Sequence, residues 1–111
     1  MIKRVRMSIS DPWETGETLG WPVFNGELHF EESSSFGVFY FRDPISYHQK
    51  AYPIAVVCGR QDNFVSMDFD SQCLIPCSVI CVPSEEVADP VRFFQAWRGG
   101  GLTFTGTIIV S

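Results

Sequence analysis

At 111 residues the chain has room for one core and no second lobe, so a single domain over residues 1–111 is expected. Hydrophobic residues make up 45% of it and charged residues 19%, which excludes intrinsic disorder. The formal net charge of −5 argues against nucleic acid or an anionic membrane as partner, because an acidic body repels phosphate groups.

No stretch approaches the roughly 18–20 consecutive apolar residues that a membrane helix needs. The longest candidate, Leu74 to Pro83, is interrupted by Pro76 and Ser78. At the N-terminus Lys3, Arg4 and Arg6 imitate the charged start of a secretion signal, but Ser8, Ser10, Asp11 and Glu14 follow where an apolar stretch is required. A cytoplasmic location is therefore expected. Cys73, Cys77 and Cys81 crowd into nine residues and, with Cys58, leave the first half of the chain without a thiol. In a reducing compartment these read as free, buried cysteines.

Residues 4–10 alternate, with Val5, Met7 and Ile9 on one face and Arg4, Arg6, Ser8 and Ser10 on the other, the signature of a half-buried strand. Asp11-Pro12 stops it, with Asp11 placed to cap a helical turn that Gly16 and Gly20 keep short. Gly26–Glu32 reads as a second strand, Leu28 and Phe30 inward and Glu27, His29 and Glu31 outward. Phe36–Phe41 is apolar on both faces, so either a helix covers its second face or part of it is a docking patch. A loop is expected from Asp43 through Lys50. Tyr52–Gly59 follows as a strand with Tyr52, Ile54, Val56 and Cys58 on one face, then Phe64–Phe69 and Leu74–Val82 as two more. Asp89-Pro90 caps the one convincing helix, with Phe93, Phe94 and Trp97 at helical spacing and Gly99-Gly100-Gly101 at its end. Leu102–Val110 closes the chain as a strand. The fold class that follows is mainly β: an antiparallel six- to seven-stranded barrel or sandwich with one short helix near the C-terminus.

Chemistry is sparse. The cysteines at 73, 77 and 81 lie along one expected strand, where residues four apart stand about 13 Å from each other at roughly 3.3 Å per residue. One metal ion with bonds of ~2.3 Å does not gather such thiolates, so neither metal nor cofactor is expected. His29, between Glu27 and Glu31, has the makings of an oriented base, but alternating polar residues on a solvated strand face give the same pattern. His48 has no partner in the sequence. No nucleophile elbow, phosphate-binding glycine loop or HExxH occurs, and no enzyme activity is expected.

From residue 7 onward five basic residues (Arg42, Lys50, Arg60, Arg92 and Arg98) face all thirteen acidic ones. Such a surface favours a basic partner. Glu31 and Glu32 in a turn, and Asp62, Asp68 and Asp70 around the Phe64–Phe69 strand, are the candidate acidic contacts. Tyr47, Phe64 and Phe69 are the candidate aromatic anchors.

Two stretches also carry a resemblance. Arg4-Val5-Arg6 through Ser10-Asp11-Pro12-Trp13-Glu14, with Gly16-Glu17, Leu19 and Trp21, is one. Trp97-Arg98-Gly99-Gly100, with Leu102, Phe104 and Gly106, is the other. Together they resemble small bacterial orphan proteins whose character is that of immunity proteins in contact-dependent growth-inhibition and related polymorphic-toxin systems. The resemblance covers the two ends of the chain and not its middle, and it transfers no functional residue. It implies a cytoplasmic protein that binds a toxin domain, commonly a nuclease with a basic cleft, and blocks its active site. The alternative is a small-ligand-binding barrel or minor enzyme, with a cavity lined by the Phe36–Phe41 aromatics and His29 and Glu31 at its mouth. A structural subunit of a larger assembly is a third reading.

Overall fold

In the computed structural model, residues 2–31, 36–59 and 73–110 are described, Cys73 by its backbone alone. Six strands follow in order: β1 (Ile2–Asp11), β2 (Val23–Phe30), β3 (Phe36–Tyr47), β4 (Lys50–Gly59), β5 (Cys73–Val82) and β6 (Thr103–Val110). Each pairs antiparallel with the next, and β6 returns to β1, so the sheet closes as a six-stranded barrel. Two helices accompany it, α1 (Trp13–Leu19) and α2 (Pro90–Ala96), with a 3₁₀ turn at Ser84–Glu86. The expected strand Phe64–Phe69 lies outside the described residues.

Alternation in the sequence becomes inside and outside in the barrel. Val5, Met7 and Ile9 of β1 point inward, as do Leu28 and Phe30 of β2 and Phe104, Ile108 and Val110 of β6. Phe39 meets Phe41 edge-on at 5.0 Å between ring centroids, and Phe24 meets Phe41 edge-on at 5.1 Å. Six strands enclose a narrow interior, and glycine lets the chains approach there. A Cβ on Gly26 would strike the Tyr40 carbonyl and the Phe39 ring, and one on Gly106 would strike the Ser8 carbonyl. Both positions therefore require glycine for packing.

The second face of Phe36–Phe41 is covered. Phe36 and Val38 join Ile54, Val56 and Val82 on the outer wall, and Phe93 and Phe94 of α2 pack onto them, with Phe36 and Phe94 rings 5.8 Å apart. The helix is capped as the sequence indicates: the Asp89 carboxylate accepts the Arg92 N–H at 3.0 Å, and Pro90 opens the first turn.

Four local expectations need correction. Asp11 is no helix cap; its backbone is held in β1 opposite Thr105 of β6, and Pro12 stands at the helix start without a side-chain cap. The turn after it is a seven-residue helix that runs through Gly16 and stops at Gly20, whose φ of 79° ends it. β2 begins earlier than expected, at Val23, and ends at Phe30. The expected loop from Asp43 to Lys50 is instead the end of β3 and the start of β4, with an irregularity between the Tyr40–Ile54 and Ile45–Tyr52 pairs. That irregularity holds Pro44 and Pro53, which lack N–H donors and break the ladder. It also moves Tyr52 into the interior, whereas Ile54 and Val56 stay outside.

The β3–β4 hairpin turns on His48 and Gln49 alone, with φ of 47° and 66°. Two successive left-handed residues are the demand of a type I′ turn, which Asn-Gly meets and His-Gln does not. Replacing the pair (His48→Asn with Gln49→Gly) should raise stability by about 1 kcal/mol, read as a higher urea midpoint at unchanged slope. A midpoint that stays put or falls would mean the native side chains contribute packing that outweighs the strain.

Candidate functional site

The barrel interior is an apolar core. Phe39, Met7, Leu28, Ile108, Val57, Val79 and Cys77 are fully buried along it, and Leu19, Phe24 and Tyr47 pack against this core. Phe39 and Phe41 both belong to it. His29 faces outward. Its Nε2 lies 3.4 Å from Glu27 Oε1, at the long end of hydrogen-bond range, and its ring rests 4.3 Å from that of Tyr40. His29 and Glu31 do share a groove, of about 430 Å³, but it lies on the outer wall with Ile2, Phe36, Val38 and Val91.

Cys77 and Cys81 point into the core, and Cys77 Sγ donates to the Gly106 carbonyl at 3.6 Å. Cys58, Cys77 and Cys81 are free thiols. Burial pushes the Cys81 thiol far above the ordinary cysteine range and raises that of Cys58 as well, since a thiolate loses its hydration in an apolar interior. No three His, Cys, Asp or Glu side chains among the described residues converge as metal ligands.

Of the candidate partner contacts, Glu32, Asp62, Phe64, Asp68, Phe69 and Asp70 lie outside the described residues. Glu31 is exposed just past β2. Phe30, Phe36, Gly59 and Cys73, the strand ends that flank the undescribed stretches, belong to one rim of the barrel by register. Tyr47 ends β3 at the opposite rim, half-buried, with the His48 ring 4.1 Å away. The structure thus separates Tyr47 from Glu31 by most of the length of β3.

Charge is segregated in a way that composition conceals. The register continues Arg6–Asn25 into β3 at Arg42, and sets Arg4 beside Glu27 and Tyr40. Arg4, Arg6 and Arg42 line one shallow outer groove and form no ion pair among the described residues. The basic charge near the N-terminus is therefore not a detached tail; it belongs to a face shared with Arg42.

A second cleft, of about 600 Å³, lies where Tyr52, Arg92 and Trp97 meet Gly99–Gly101. Its three glycines have φ of 111°, 87° and 72°, and Trp97 Nε1 donates to the Gly100 carbonyl at 3.2 Å, folding the loop back on the helix end.

The features that sequence reasoning missed are Trp13 and Trp21, exposed at 63% and 42% beside Val23 at 50%. Their signal was present in Trp13-Glu14 and Gly20-Trp21-Pro22: large apolar residues set among polar ones and turn formers, outside any strand pattern. Comparisons with protein-family models, curated proteins and solved structures return no match.

The thiol environments give a direct test of a closed interior. At pH 8 a thiol reagent should leave Cys77 and Cys81 of the native protein unlabelled, label Cys58 slowly, and label all three in urea. Raising the pH toward 10 should speed Cys58, because its thiolate forms only above the ordinary range. Rapid native labelling of Cys81 in peptide mass spectra would show that the barrel opens.

Proposed function

We propose that this protein is a cytoplasmic immunity protein, which binds a basic toxin domain of a contact-dependent growth-inhibition system and blocks its nuclease site. The observation that carries the reading is a barrel whose inward side chains form a buried apolar core, with the charged groups on the outer surface. On that surface the carboxylates outnumber the cations, and His29, the one candidate base, holds only Glu27 and a tyrosine ring. Among the described residues no nucleophile stands beside it. A protein so built acts by recognition, with no cofactor and no turnover of its own. The resemblance at both ends of the chain supplies the partner class, and net charge supplies its sign: a toxin with a basic substrate cleft meets an acidic inhibitor at a steered rate.

No helix among the described residues is long and apolar enough to cross a membrane. The cytoplasm is where an immunity protein meets an incoming toxin, and the free thiols accord with its redox state.

Growth and kinetics test the reading together. Bacteria expressing the toxin domain encoded immediately upstream should survive only when this chain is co-expressed. With purified proteins, the association rate should fall by about tenfold between low and high salt while dissociation changes less, because exposed charges are screened over ~8 Å at physiological ionic strength. Absence of both protection and binding would sink the proposal. A salt-independent association rate would reduce the acidic balance to a matter of solubility.

A further inference from the structure

We infer that the exposed Trp13–Trp21–Val23 patch, at the barrel end that α1 covers, is the anchor by which the protein docks its basic partner. The inference rests on the function proposed above and places its contact at the rim opposite Glu31.

The geometry begins with how α1 ends. Gly20 takes φ of 79° and its N–H donates to the Glu17 carbonyl, while the Trp21 N–H donates to the Gly16 carbonyl at 2.8 Å. This pair of bonds is the Schellman arrangement, in which the residue after the left-handed position folds back onto the helix. Here that residue is Trp21, and its indole lies against Gly16, where a Cβ would collide with the ring. Trp21 itself has φ of 51°, an outlier for so bulky a side chain. The indole is thus held in place by the backbone and yet remains 42% exposed. Trp13 precedes Gly16 by three residues, so the helix brings its side chain beside the same turn. Val23 opens β2 two residues after Trp21, and is half exposed.

Among the described residues, both indoles keep a large share of their surface in water. Leu19, Phe24 and Tyr47 are the side chains that pack against the core at this end. Tryptophans fixed before binding lose little freedom on docking, which is why they dominate interface energetics.

Charge complementarity commits the occupant. Between Asp11 and Val23 there are three carboxylates (Asp11, Glu14 and Glu17) and no Lys or Arg; all three are exposed, and none forms an ion pair among the described residues. Glu17 stands near the helix C-terminus, where the peptide dipoles disfavour an anion, and no basic residue offsets it. An apolar centre with these three carboxylates beside it matches a cationic protein surface.

Binding of the upstream-encoded toxin domain, carried as an inactive variant, should be compared across single changes. Trp13→Ser should weaken it at least about 30-fold, the size expected of a hot-spot residue. Gly16→Ala keeps both tryptophans but unseats the Trp21 indole. It should weaken binding about tenfold, with a changed near-ultraviolet circular dichroism spectrum and a little-altered unfolding midpoint. Glu14→Lys with Glu17→Lys should slow association several-fold. If the wild type binds but Trp13→Ser, Gly16→Ala and the double lysine variant bind equally well, the anchor lies elsewhere and the function stands. If the wild type binds nothing, both fall. A wild-type homodimer that Trp13→Ser converts to monomer assigns the patch to a second copy and overturns the inference.

Discussion

The β1–β6 ladder leaves neither edge of the sheet open, and the remaining features of the molecule follow from that closure. A closed sheet of six strands has no unpaired edge to protect and a bore only wide enough for side chains. Every inward position must therefore be filled to the right volume. Phe39, Phe41 and Phe24 supply the bulk, and Gly26 and Gly106 vacate the places where a neighbouring chain comes too close. The cysteines belong to the same bookkeeping. Cys77 and Cys81 sit inward on β5 as small apolar fillers, and burial suppresses the Cys81 thiolate that would make it reactive.

With an apolar core inside, the charged groups lie on the wall and at the two ends. The wall is itself divided. α2 covers the β3–β4 sector through Phe93 and Phe94, while Arg4, Arg6 and Arg42 occupy the β1–β3 sector. The ends differ too. One end is bounded by the strands that flank the undescribed stretches, and the other is covered by α1 and the His48–Gln49 turn. Recognition of a protein partner by an end of a solid barrel needs no cavity, only an apolar centre and a rim of suitable charge.

Period-two patterning made the architecture legible, because each alternating run admits one inward face. Val5, Met7 and Ile9 declared theirs, as did Leu28 with Phe30. The doubly apolar run at Phe36–Phe41 announced a covering element, and Asp89-Pro90 marked its cap. Closure itself was not legible: barrel and sandwich share the same strands and differ in whether the last pairs with the first, a contact between residues about a hundred positions apart. The irregularity at Pro44 and Pro53 also escaped, because two prolines read as a loop while the structure absorbs them within paired strands. At the candidate site, Glu31 and Tyr47 each read as surface positions, yet their placement at opposite rims depends on register and is invisible before the strands pair. Trp13 and Trp21 lie outside any alternating run, so the sequence assigns them no face, and the Gly20 turn that seats the Trp21 indole against Gly16 is visible only in the fold.

Segregated charge constrains how such a molecule approaches a partner. The guanidiniums of Arg4, Arg6 and Arg42 share one stretch of wall, and the carboxylates of Asp11, Glu14 and Glu17 share one end, none of the six in an ion pair among the described residues. A cationic surface is repelled by the first and drawn to the second, so orientation is selected during the encounter and not after it. In the proposed complex, the carboxylate end would present its indoles to the partner within roughly a Debye length, ~8 Å at physiological salt. The same arrangement suppresses wrong contacts: an anionic surface that finds the arginine wall meets no apolar centre among Arg4, Arg6, Asn25 and Glu27 on which to settle. In the proposed complex, specificity would come from the coincidence of charge and exposed tryptophan at one end of the barrel. Either feature alone would give an encounter without a stable complex, since rim charges act mainly on arrival and buried aromatic contacts on departure.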